Sequence, residues 1–237
     1  MKRPLIVKTG GALPALRDAR GDYDAWIAAG MGLAHDAVDV VDSEAGESLP
    51  DPAAPQGVVV TGSSAMVSER AAWSEAAGAW LVRAAEAGTP IFGICYGHQL
   101  LAQTLGGAVG TNPRGREIGT VQVRSLARAR DDALLGVLGD TSHAHATHVE
   151  SVLALPDGAV RLAESDLDPM QAIRFGDRVW GVQFHPEFDA EVIRTYLAAR
   201  RDRVVAEGLD ADALLAGVRD TPKAARLLRR FAELIAR

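Results

Sequence analysis

Two short apolar runs, Gly57-Val-Val-Val-Thr61 and Ile91-Phe-Gly-Ile94, each give way to an Ala/Leu-rich segment, and this alternation most restricts what the chain can fold into. Parallel strands need a long crossover, usually a helix laid on a sheet face, so a series of such units predicts a sheet covered by helices. Pro4-Leu-Ile-Val-Lys8, a helical pattern near residues 22–32 and a strand over His35–Val41 carry the same punctuation toward the N-terminus. Ser68 is placed to cap a helix running to about Ala87, with Trp73, Ala77, Trp80, Leu81 and Ala84 on one stripe. Gly88-Thr-Pro90 stops that helix before strand Ile91–Ile94, and a second helix follows at once over Gly97–Leu105.

Beyond Gly106-Gly107 the texture changes. Val109, Thr120–Arg124, Ser151–Ala154, Met170–Arg174 and Arg178–Phe184 read as strands separated by Gly, Asp and Pro turns, which extend the middle of the sheet with antiparallel members. From Asp189 the pattern is helical. Thr221-Pro222 opens a last helix with Leu227, Leu228, Phe231, Leu234 and Ile235 inward. The expectation is one domain over residues 1–237: a three-layer α/β sandwich with a central, mainly parallel sheet and a helical C-terminal extension at about 190–237. In such folds sites form at the carboxyl ends of the strands.

Composition excludes several function classes. With 48% hydrophobic and 24% charged residues the chain is neither a disordered tail nor a rod. A net charge of −6 weighs against a protein built to grip phosphate backbones, so no nucleic-acid partner is expected. Residues 200–237 carry an excess of basic side chains, which reads as a solvated helix face rather than a docking surface. No apolar run approaches the ~20 residues that cross a bilayer. The start, Met-Lys-Arg-Pro-Leu-Ile-Val-Lys, turns polar too soon for a signal peptide, so a cytoplasmic protein without a membrane partner is expected. The single cysteine, Cys95, cannot form an internal disulfide; it is either a small buried hydrophobe or a nucleophile.

Its neighbours favour the second reading. Gly93-Ile-Cys95-Tyr-Gly97 sits where an apolar strand meets a helix, the form of a nucleophile elbow, in which a strained turn lifts the central side chain clear of the sheet. Flanking glycines remove the Cβ atoms that would clash. The helix N-terminus favours an anion, shifting the thiol toward thiolate, and its free N–H groups can hold an oxyanion. A base is then needed. Strand Val179–Phe184 ends at His185-Pro186-Glu187, where proline keeps His185 extended. Residues two apart in an extended chain point the same way, so Glu187 can hold one ring nitrogen while the other faces the pocket. A thiol, an imidazole and a carboxylate together can activate the nucleophile and protonate a leaving amine.

At Gly93-Ile-Cys95-Tyr-Gly-His-Gln99-Leu-Leu-Ala-Gln-Thr-Leu-Gly-Gly107 and Gly181-Val-Gln-Phe-His185-Pro-Glu187 the sequence resembles the class I (triad) glutamine amidotransferases, most of all stand-alone members similar to the amidotransferase domain of GMP synthase. The resemblance runs from about Val58 to Glu187 and implies a flavodoxin-like sandwich. It implies that Cys95 attacks the side-chain amide of glutamine, with His185 and Glu187 completing the triad and the backbone N–H groups of Gly62 and Tyr96 holding the oxyanion. Gln99 matches a substrate-touching position, and Thr147-His148-Val149-Glu150 matches the segment holding the amino-acid end of glutamine. Relatives usually have a small residue in place of Val149 and often Asp in place of Glu150. Arg114-Gly-Arg-Glu117-Ile-Gly119 matches a segment read as structural or partner-facing, and His98 in the elbow helix reads as a packing residue or as a support behind the residues that touch substrate.

His143, His145 and His148 raise a metal reading, but no further cysteine accompanies them and the resemblance already accounts for His148, so neither a metal nor another cofactor is expected. The sequence has no G-x-x-x-x-G-K-[ST] loop, so the ammonia acceptor would be activated by a partner synthetase. Two other readings stand beside glutamine hydrolysis: a hydrolase of γ-glutamyl conjugates, which uses the same thioester chemistry, and a non-catalytic binding or regulatory homologue, in which Cys95→Ser would leave function intact.

Overall fold

A computed structural model describes residues 2–237. Strand β1 (Leu5–Lys8) leads through two helices, α1 (Pro14–Arg20) and α2 (Tyr23–Met31), to β2 (Asp39–Asp42) and then β3 (Val58–Val60). Helix α3 (Ala72–Glu86) precedes β4 (Ile91–Ile94), which turns directly into α4 (Tyr96–Thr104). Seven further strands follow: β5 (Ala108–Thr111), β6 (Glu117–Ser125), β7 (Thr141–His148), β8 (Glu150–Ala154), β9 (Val160–Glu164), β10 (Ala172–Gly176) and β11 (Val179–Val182). Helices α5 (Ala190–Ala199), α6 (Arg201–Ala206), α7 (Ala211–Ala216) and α8 (Pro222–Ile235) complete the chain.

Nine strands form one sheet in the order β2-β1-β3-β4-β11-β10-β9-β6-β7, while β5 and β8 pair separately. The sheet is mixed. From β2 to β11 every pairing is parallel, and from β11 to β7 every pairing is antiparallel. The parallel half alone carries the crossover helices.

Alternation along the strands builds the layers. Leu5, Val7, Val58, Val60 and Ile91 face α3 and α4, packing with Ala77, Trp80, Leu81 and Leu100. Ile6, Val59 and Phe92 face the other way, onto Ile27 and Met31 of α2 and Leu227, Leu228 and Phe231 of α8. The Phe92 and Phe231 rings lie 5.6 Å apart, so the last helix is a structural layer over the sheet.

Several expectations shift. Residues His35–Ala37 form a single helical turn, and the strand expected over His35–Val41 starts only at Asp39. Ser68 lies in another short turn, Val67–Glu69; α3 starts at Ala72 with Ala71 at its cap and no side-chain cap bond. Arg70, in the left-handed region at φ 52°, breaks the chain between them. Helix α1 and strands β7 and β9 are elements beyond those expected from the sequence. The inward residues of β7 are Ser142, Ala144, Ala146 and His148, too small or too polar to register as an apolar run.

Candidate active site

Cys95 caps α4 at φ 51° and ψ −99°, one of two non-glycine residues at positive φ among the described residues, a conformation costing about 1–3 kcal/mol that surrounding packing must sustain. Its amide donates to Val182 O at 2.8 Å, and Gly97 N donates to Thr61 O at 3.1 Å, tying the turn to β11 on one side and to the end of β3 on the other. A Cβ on Gly93 would come within 2.6 Å of the Gly97 carbonyl, and one on Gly97 within 2.6 Å of Val60 O. Only glycine lets α4 back so closely against the strands.

His185 leaves β11 with its amide donating to His145 O at 2.7 Å. Its Nδ1 meets Glu187 Oε1 at 2.7 Å, and both side chains are buried. Phe188 stacks on the imidazole at 4.0 Å and 14°, with Tyr196 stacked behind Phe188 at 5.2 Å. Orientation of the ring is therefore fixed twice, by the carboxylate and by the stack. The other nitrogen, Nε2, is buried without a protein partner.

The thiol and the imidazole converge. A Cβ built on Gly62 would stand 2.9 Å from His185 Cε1 and 3.6 Å from Cys95 Cβ, so the glycine leaves space for both groups to meet. The two groups are coupled, chiefly through charge. Burial pushes the Cys95 thiol up, but the His185 charge, helped by His148, brings it below its ordinary value. Burial lowers the His185 pKa, yet Glu187 and Cys95 outweigh it and push it up to about 10. Those opposed shifts favour a thiolate–imidazolium pair.

The Gly62 segment is held by Thr9, whose hydroxyl donates to Thr61 O at 2.9 Å while Thr9 N donates to Thr61 Oγ1 at 3.0 Å. Gly62 is thereby held close to Cys95. Gln99 lines the cleft beside Cys95, with Nε2 donating to Glu150 O at 2.8 Å and to Gln183 Oε1 at 2.9 Å; Gln183 Nε2 in turn donates to Sγ at 3.6 Å. Gln183 sits within the motif that ends at Glu187, yet nothing in the residue type singles it out.

Thr147, His148, Val149 and Glu150 line the same cleft, so the segment read from sequence is beside the thiol. Its side chains differ in what they do. His148 is buried and bonded through Nδ1 to Glu150 O at 2.9 Å and through Nε2 to Glu117 Oε2 at 3.0 Å. Burial opposes its protonation, but Glu117 and Asp168 raise its pKa overall. Ser165 and Gln171 also donate to Glu117, and Ser151 donates to Asp168 at 2.6 Å. Glu150 Oε2 accepts from Ser68 N at 3.3 Å, the role Ser68 takes in place of capping.

The remaining histidines are dispersed. His145 bonds to Thr120 at 3.3 Å through Nδ1 and is pushed down to about 4, mainly by burial. His98 is fully buried against Gly181 and Phe175 and likewise lowered to about 4 by burial. Among the described residues no group of three or more His, Cys, Asp or Glu side chains could hold a metal ion. Nor is any described helix long and apolar enough to cross a membrane. Arg116, Arg200 and Arg203 also line the cleft, from outside the elbow and His-Pro-Glu motifs.

Comparison with known proteins places these residues in context. The family "Glutamine amidotransferase class-I" matches residues 16–201. One of the subunits of the glutamine-hydrolysing GMP synthase of Methanococcoides burtonii is 42% identical over 99 residues, covering 41% of this chain and 50% of that protein. The glutamine-hydrolysing GMP synthase of Aeropyrum pernix is 35% identical over 158 residues, 65% of this chain and 28% of that protein. The matched stretch is thus half or less of each of those relatives. In overall fold, a glutamine amidotransferase from Thermotoga maritima superposes with a TM-score of 0.75 at 21% identity, covering 99% of this chain and 98% of that one.

Proposed function

The chain belongs to the class I glutamine amidotransferases, and from that premise we propose that it hydrolyses the side-chain amide of free glutamine to glutamate and ammonia through a thioester on Cys95. One observation carries this reading: the buried thiol, on a strained turn at a helix N-terminus, converges with an imidazole that a buried carboxylate holds at 2.7 Å.

Sγ of Cys95 attacks the amide carbon, and the negative charge moves to the amide oxygen, which the N–H groups of Gly62 and Tyr96 receive. Each such donor is worth a few kcal/mol in comparable sites, about 2.7–4. His185, protonated at Nε2, gives its proton to the nitrogen as the C–N bond breaks, and ammonia departs. Neutral His185 then takes a proton from water, whose oxygen attacks the thioester; glutamate leaves and Sγ is again a thiolate. Glu187 keeps the ring oriented and stabilises its charged form throughout. Gln99, through Gln183, positions the sulfur, and residues 147–150 receive the amino-acid end. Likeness to GMP synthase subunits suggests that the ammonia passes to an acceptor activated by a separate synthetase.

A second cavity supports a competing reading. It lies on the His185 side of the pair, between Leu13, Pro14, Tyr23 and Tyr196. The leaving nitrogen is protonated from that side, so a substituent on it could lodge there, as in a γ-glutamyl conjugate. Rates of glutamate release from glutamine and from γ-glutamyl amides, measured on one preparation, separate the two. Faster release from glutamine is expected; a clear preference for conjugates overturns the first reading.

A further inference from the structure

Arg200 stands at the junction of α5 and α6, and its guanidinium is set differently from those around it. Arg116 and Arg203 share the Glu207 carboxylate, at 2.6 and 3.3 Å. Arg200 has no such partner: among the described residues no carboxylate lies within 4.0 Å of it. It stacks over the Tyr196 ring at 4.9 Å and donates from Nη1 to the Thr147 hydroxyl. Both contacts hold the fork in place and neither neutralises it. The side chain lines the cleft that contains Cys95 as well as the cavity beside His185.

A half-buried cation kept rigid and left without a counter-charge is a ready site for an anion, and a guanidinium suits a carboxylate because it offers two parallel donors. We propose that Arg200 binds the α-carboxylate of the substrate and so restricts the enzyme to glutamyl amides with a free α-carboxyl group, excluding glutamine whose α-carboxyl is tied up in an amide or peptide bond. Thr147, to which Arg200 is bonded, begins the segment that receives the amino-acid end, and Glu150 on the same wall is the matching acid for an α-ammonium group. The inference rests on the glutamine-hydrolase reading and assigns its substrate specificity to a residue outside both motifs.

The test compares glutamine with glutaminamide, which differs only in carrying an α-amide. Products are separated as glutamate and isoglutamine, so that side-chain hydrolysis is counted in each case. The wild-type protein should prefer glutamine in kcat/KM by about 10- to 100-fold, the range of a charged hydrogen-bonded contact. Arg200→Met should erase most of that preference by raising KM for glutamine while leaving glutaminamide nearly unchanged, and Arg200→Lys should restore part of it. Because each preparation is compared with itself, partial misfolding cancels from the ratio. Protection of Cys95 from iodoacetamide by each compound gives the same ratio without turnover. A preference that survives Arg200→Met overturns the inference and leaves the proposed activity standing. A wild-type protein that hydrolyses neither compound and is protected by neither overturns both.

Discussion

The two halves of the sheet hold the site by different physics. On the parallel half, Cys95 is positioned by exclusion: two glycines admit the helix to within contact of the strands, and backbone bonds to Val182 and Thr61 lock the turn. On the antiparallel half, the segment 147–150 is positioned by buried polar bonds that join Glu117, His148, Ser151, Ser165, Asp168 and Gln171. The first arrangement has no tolerance for an added atom. The second tolerates volume better than it tolerates loss of a charge or a donor. In the proposed mechanism, chemistry thus falls to a sterically rigid element and recognition to an electrostatically organised one.

The largest break in this comparison should come from Cys95→Ala, which removes the proposed nucleophile but no strand contact. Glutamine turnover should fall at least about 10⁴-fold, with thermal unfolding almost unchanged. Gly97→Ala tests exclusion directly. Its new Cβ meets backbone at 2.6 Å, so about 1–3 kcal/mol of stability should be lost in denaturant titration, and turnover should drop about 10²-fold as the sulfur is displaced.

Glu187→Gln should act more mildly, about 10- to 100-fold on kcat, since the residue orients and stabilises without transferring a proton. It also has a pH signature. The proposed mechanism needs Cys95 deprotonated and His185 protonated, so the alkaline limb should follow His185, which Glu187 helps to hold at about 10. Removing the negative charge lowers the imidazole pKa, and that limb should move to lower pH in the pH–rate profile. The smallest effect belongs to the polar network. Glu117→Gln takes the charge from beside His148 and should cost about 1–3 kcal/mol in unfolding, with a several-fold rise in KM and little change in kcat. If it lowered kcat as much as Glu187→Gln does, the division between the two halves would be lost.

What could be read in the sequence follows from how local each device is. The elbow is five consecutive residues, and Gly93, Cys95 and Gly97 state their steric requirement without any distant partner. His185 and Glu187 are two apart on an extended segment, so their approach is also a local consequence. Strand β7 was less accessible, because Thr141–His148 buries alanine and histidine rather than a branched apolar run. Ser68 shows the limit of a capping rule: its neighbourhood suits a helix start, yet Arg70 turns the chain and the serine amide goes to Glu150.

The amino-acid order alone determined the alternation of strands and helices, the turn that carries the thiol and the pairing of imidazole with carboxylate, since each depends on backbone preferences over a few neighbouring residues. Only the tertiary structure decided that Phe188 and Tyr196 clamp the imidazole, that Glu117 anchors His148, and that Arg200 reaches the cleft without a carboxylate partner. Those contacts join residues as many as 53 positions apart, as between Arg200 and Thr147, and what they bring together is charge and hydrogen-bonding capacity, which leave no periodic trace along a chain.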